Sequence, residues 1–289
     1  DMDIVSASEF DNAIAWYENV YDAVVPTVSS VSSTNDNGAY KIGDVIAVTV
    51  AWNEAATVTG TPRIKLETGT TDQYATYASG STTTTLTFNY TVAAGDTTAD
   101  LDYTSTSALE LNSGTIKDAS GNVATLTLAF PGASGSLGAN KAIVIDGNVP
   151  TISSVSSTKA NGGYTVGDTI PITITFNQTV TVTGTPFIYL PQIPRDVFYT
   201  SGSGTNTLRF DYIIAAGQNS SDLSYTTTNK LAIWGTGGSI QDASGNDASL
   251  TLPTSGEAGS LSANKNIIID TKGPTVSTVS STKADAAYK

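Results

Sequence analysis

The sequence predicts an all-β protein: β-sandwich units in tandem, arranged head to tail. Three observations lead there. The chain repeats itself, with Pro-Thr starts "VPTVSSVSST" (25–34), "VPTISSVSST" (149–158) and "GPTVSTVSST" (273–282) that place proline at 26, 150 and 274, a constant spacing of 124. Within each repeat, runs such as "VIAVTVAW" and "TLTFNYTV" alternate apolar with polar residues and are rich in β-branched and aromatic side chains. That is the period-2 signature of a half-buried strand. Gly, Asn, Asp and Ser clusters then cut the chain into about seven to nine such runs per repeat, the pattern of an all-β sandwich.

Taken in order, residues 1–24 are a separate β segment; the only helical hint, "EFDNAIAWYENV", is contradicted by its flanks. Repeat 1 covers 25–148 and repeat 2 covers 149–272. "GAYKIGDVIAVTVAWNEAATVTGTP" (38–62) matches "GGYTVGDTIPITITFNQTVTVTGTP" (162–186), and "GSLGANKAIVID" (135–146) matches "GSLSANKNIIID" (259–270). Head-to-tail units need an odd strand number, so that the chain enters and leaves at opposite poles. Trp52, Phe88 and Tyr90, aligned with Phe176, Phe210 and Tyr212, are the expected cores, and Tyr103 and Tyr225 the expected corner residues. Residues 273–289 begin a third, incomplete repeat. The abrupt start, without a basic leader, fits a piece of a longer or processed protein.

Composition removes several functions. The formal net charge is −13, which argues against nucleic acid, whose phosphates call for a basic patch. There is no Cys and no His, so disulfides, thiolate chemistry, zinc sites of those ligands and a Ser-His-Asp triad are all excluded. Asp100 and Asp102 could be read as a glycosidase pair, but repeat 2 has Ser224 in place of Asp102. No run is apolar for long enough to span a membrane as a helix. The expectation is a protein that is not an enzyme.

The motifs "VGD" or "IGD", "VTVTGTP", "LDYTS", "KDASGN" and "ANKAIVID" resemble the tandem immunoglobulin-like repeats of giant bacterial and archaeal surface proteins, many of them adhesins. Residues 1–20, with Asp-x-Asp and "IAWYEN", are similar to the end of an FG-GAP/VCBS-type β-propeller repeat. The resemblance implies an extracellular, cell-surface location and a stalk or adhesin role. It also implies calcium at the joints between repeats, and neighbouring repeats or copies of the chain as partners.

Two readings stay open for the turns "DASGN" at Asp118–Asn122 and Asp242–Asn246. One is a hairpin turn closed by Asp on its own backbone. The other is calcium, which takes six to eight oxygens from carboxylates, amides and carbonyls. Of the 26 acidic residues 20 are Asp. Asp146 and Asp270, each ending a last strand, are the joint candidates; Asp44, Asp168, Asp100 and Asp222 are recurring secondary ones. The repeats diverge most where "KLETGTTDQYATY" becomes "YLPQIPRDVFY" and "ELNSGT" becomes "AIWGTGGS". Pro191, Pro194 and Trp234 there are the expected contacts for a surface receptor or glycan. Val276 and Val279, alternating in the last segment, are the expected contacts for strand pairing with another copy, which would make the chain a filament subunit. A carbohydrate-binding module, through Trp234 or Trp16, is a further alternative. Asn89, Asn177 and Asn219 lie in glycosylation sequons.

Overall fold

The computed structural model describes residues 24–280, 282 and 287, together with the backbone of 4–7 and 14–17. It is all-β: the described residues form strands and two single-turn helices. By its internal contacts the chain divides into two compact units, Asp1–Asn148 and Val149–Lys289.

In unit 1, β1 (Ile4–Ala7) and β2 (Ile14–Tyr17) pair antiparallel, with Ile4 opposite Tyr17. The strand at Ile14–Tyr17 is where the only helical hint fell. Then follow β3 (Val28–Ser33), β4 (Gly38–Lys41), β5 (Val45–Thr59), β6 (Arg63–Leu66), β7 (Gln73–Ser79), β8 (Thr83–Thr91), β9 (Thr97–Thr98), β10 (Leu109–Glu110), β11 (Thr115–Lys117), α1 (Leu137–Asn140) and β12 (Ile143–Asp146). The larger sheet runs β10-β6-β7-β8-β5-β11, with β3 also on β5; the smaller runs β4-β12-β9. The β5 ladder with β8 shifts register between Ala51 and Ala56, after which Thr57–Thr59 pair with β11. Such a bulge re-aims a strand, so one run serves two neighbours. Strict alternation along β5 and β8 buries Ile46, Val48, Val50, Leu86, Phe88 and Tyr90. Ile143 and Ile145 of the smaller sheet join the same core.

Unit 2 builds this frame again from β13 (Ile152–Ser157), β14 (Gly162–Tyr164), β15 (Thr169–Leu190), β16 (Arg195–Ser201), β17 (Thr205–Ile213), β18 (Leu231–Gln241), α2 (Leu261–Asn264) and β19 (Ile267–Ile269). The larger sheet joins β13, β15, β16, β17 and β18; β14 and β19 form the smaller. Its core holds Ile170, Ile172, Ile174, Phe176, Phe210 and Tyr212. All six expected core aromatics are buried. The hydrogen bonds recur as well. Tyr103 Oη donates to Ala129 O (2.7 Å) and Tyr225 Oη to Pro253 O (2.8 Å). Asn140 Nδ2 donates to Val31 O (2.7 Å) and Asn264 Nδ2 to Val155 O (2.8 Å). Ser136 and Ser260 cap α1 and α2 by accepting from the N–H three residues on.

Candidate functional site

The repeated acidic turns close on themselves. Asp118 follows β11, and the chain folds back through Gly121, whose φ of 92° lies in the left-handed region that glycine enters without cost. Asp118 Oδ1 accepts from Asn122 N (2.8 Å) and Oδ2 from Asn122 Nδ2 (2.6 Å), while Asp118 N donates to Asn122 O (3.1 Å). Burial pushes this carboxyl up. Hydrogen bonds from the Asn122 side chain and from the backbone at Asn122, Gly121 and Ser120 more than offset that and hold it below the usual carboxylate range. In unit 2, Asp242 accepts from Ser244 N (3.0 Å), Asn246 N (2.9 Å) and Asn246 Nδ2 (3.0 Å), and also from Gln178 Nε2 (3.1 Å). Unit 1 carries Glu54 where unit 2 has Gln178.

The structure therefore brings Asp118 together with Asn122, and Asp242 with Asn246, but as acceptor and donor. A calcium ion needs oxygens facing it, and each amide here turns its NH2 toward the carboxylate. In this arrangement the carboxylate oxygens are taken up by the Asn122 and Asn246 amides and backbone N–H groups, which a cation would have to displace. Among the described residues no group of three or more His, Cys, Asp or Glu is placed to hold a metal. Asp146 and Asp270 act differently: Oδ1 of each accepts one backbone N–H two residues on, from Asn148 (3.1 Å) and Lys272 (2.9 Å). Asp270 lines a shallow depression with Asn219, Ser221 and Lys272. Asp44 and Asp168 close turns through Lys41 N and Thr165 N (both 2.9 Å). Asp102 accepts from Tyr103 N and Gly132 N (both 2.9 Å), and Ser224, its counterpart, bonds Ser255 and Ser262. In unit 2, Asp222 keeps one buried oxygen, Oδ1, without a hydrogen-bond partner among the described residues.

The expected partner-contact residues fall in three places. Pro191 and Pro194 flank the turn between β15 and β16, which tucks Ile193 into the core. Trp234 lies farther along the same sheet, opposite Thr185 on β15, so it does not join the two prolines. Trp234 is 62% exposed and packs edge-on against Phe187 and Phe198, with ring centroids 6.2 and 6.1 Å away. The sequence reading missed both phenylalanines. Their signal was the outward half of the alternation in "PFIYL" and "DVFYT", which only the strand register joins to Trp234. Val276 and Val279 are 83% and 91% exposed, and residues 271–280 form no strand. Trp16 lies outside the described side chains. Asn89 and Asn177 are exposed, and the amides of Asn177 and Asn219 accept from Thr151 N (2.8 Å) and Thr271 N (3.1 Å). No protein-family model matches the chain, and no curated protein is significantly similar to it.

Proposed function

We propose that the chain is a non-enzymatic extracellular structural protein: a segment of a cell-surface stalk or adhesin made of immunoglobulin-like β-sandwich repeats arranged head to tail. The observation that carries this reading is the frame itself, built twice at a spacing of 124 residues, with its recurring carboxylates engaged in closing turns. Such residues serve repetition rather than a reaction centre. Versions with one, two and three copies of the repeat test it by small-angle scattering. A stalk lengthens by a constant increment per copy and stays monomeric. A radius of gyration that grows only as a compact globule does would overturn the reading.

Calcium belongs to the proposal at Asp146 and Asp270, away from the two closed turns. A site filled a hundredfold above its Kd stabilises by about 2.7 kcal/mol. Thermal melts in EDTA and in millimolar calcium should then differ, and Asp146→Asn with Asp270→Asn should abolish the difference. Superimposable melts of the unaltered chain would remove calcium from the account.

One observation favours a second reading, a filament subunit joined by β-strand complementation. Val276 and Val279 stand exposed among Ser and Thr in a segment that pairs with no strand among the described residues, as a donated strand would before it is taken up. Deleting 274–289 should then abolish assembly while both units stay folded; association that survives the deletion rules it out.

A further inference from the structure

The outer face of β15, β16 and β18 differs from its counterpart in unit 1 in a way the frame does not require. In unit 1, Arg63 on β6 faces Glu110 on β10 and Thr76 on β7. Its Nε and Nη2 atoms lie 2.9 and 2.8 Å from Glu110 Oε2, and its guanidinium stacks 3.9 Å from the centroid of the Tyr74 ring. The register-matched positions in unit 2 are Phe187, facing Ala232 and Phe198. Trp234 completes the replacement: Asn112, which donates to Thr61 O in unit 1 (3.1 Å), gives way to an indole opposite Thr185. A polar lid in one repeat is thus an open aromatic cluster in the other, on the same ladder. Unit 1 pairs these strands without the three rings.

We propose that this cluster binds a neutral saccharide, an inference that goes beyond the stalk reading and does not depend on it. Aromatic faces carry a negative quadrupole. The axial C–H face of a pyranose ring is apolar and weakly positive, so it stacks there, and its equatorial hydroxyls point to the rim. The rim supplies partners: Lys230 Nζ sits 5.0 Å from the Tyr189 ring centroid, and Asp196 lies opposite Tyr189 in register. The small open area of the rings suits a small ligand. Trp234 is 62% and Phe198 42% exposed. With side-chain areas of roughly 150–250 Å² each, their open surface is about 200–250 Å². A stable protein interface covers about 800 Å² on each partner. A net charge of −13 disfavours anionic glycans, which leaves the neutral ones.

The test is titration of the full chain with short oligomers of glucose, galactose and mannose, in α and β linkage, up to millimolar concentration. Tryptophan emission and calorimetry report binding. At least one oligomer should saturate and alter the emission. Trp234→Ala should weaken it about tenfold or more, as loss of a central aromatic anchor does. Phe198→Thr, which installs the residue unit 1 carries, should weaken it too, and Arg63→Ala should leave it unchanged. Trp234 and Phe198 lie on the outer face of the sheet, so these variants should still melt cooperatively, within a few degrees of the parent chain. Three results would each overturn the proposal: no binding by any oligomer, binding that survives Trp234→Ala, or Trp234-dependent self-association without saccharide binding. None of them bears on whether the repeats form a stalk.

Discussion

At Tyr90 and Tyr212 one buried hydroxyl meets two different acceptors. Tyr90 Oη donates to Asp96 Oδ2 (2.7 Å), and Tyr212 Oη to Gln218 Oε1 (2.9 Å). Each acceptor also takes a backbone N–H, from Ala93 (2.9 Å) and Ala215 (2.7 Å), so it closes the turn after its strand. A hydrogen bond to a charged group contributes about 1.5–3 kcal/mol and a neutral one about 0.5–1.5. Tyr90→Phe should therefore destabilise its unit more than Tyr212→Phe does, by about 1 kcal/mol in urea denaturation; equal losses would mean that the carboxyl and the amide acceptor contribute alike. Burial pushes the phenols of Tyr103, Tyr212 and Tyr225 up to about 12, with Asp102 adding to the effect at Tyr103. In the unfolded chain they ionise near 10. Their contribution is thus complete below about pH 10 and is lost as pH rises toward 12. Tyrosinate absorbance should rise in two stages, the second coinciding with loss of the β signal in circular dichroism. A single stage finished before the sheets melt would contradict the burial.

Among the elements, the turn from β7 to β8 shows how strictly the backbone dictates a residue. Gly80 has φ 101° and Gly202, its counterpart, φ 113°, and a Cβ on either would collide with a carbonyl oxygen, of Thr85 or Thr207. Gly80→Ala should cost more than about 1 kcal/mol, because strain and collision outweigh any gain from a stiffer unfolded chain. A melt within a degree of the parent chain would show that the turn relaxes. The strands that alternate, β5 and β8 above all, were legible in the sequence because burial imposes period 2 on them directly. The pairing of β4 with β12 was not, since it joins residues more than 100 apart and leaves no local periodicity. The helices α1 and α2 were also missed. Their only signal is a capping Ser before Leu-x-Ala-Asn, one turn long, beneath the length at which a helical period can be counted. The acidic turns were located correctly yet stayed ambiguous, because a cap and a calcium ligand call for the same residue types. In the structure Asn122 faces Asp118 with its amide Nδ2, a detail of geometry that residue types alone do not carry.

Across the molecule, the 124-residue period was the most legible feature, and each unit repeats one detail with a consequence of its own. β4 and β12 run parallel and side by side, and so do β14 and β19. These strands lie near the start and the end of their units, so a pull on the chain drags them past each other along their length. The ladder then takes the load in shear, all of its bonds together, instead of opening like a zipper. Between Lys41 and Ile143 lie about 100 residues, so each rupture of unit 1 should release about 350 Å of slack at ~3.5 Å per residue. Single-molecule stretching from the two termini should find a high rupture force. Handles placed at Lys41 and Asp146, which face each other at one end of the ladder, should peel it at a much lower one. Equal forces in the two geometries would locate the resistance elsewhere. Under tension, then, each repeat would behave as a fuse with a set threshold, yielding a fixed length of chain while its neighbours hold.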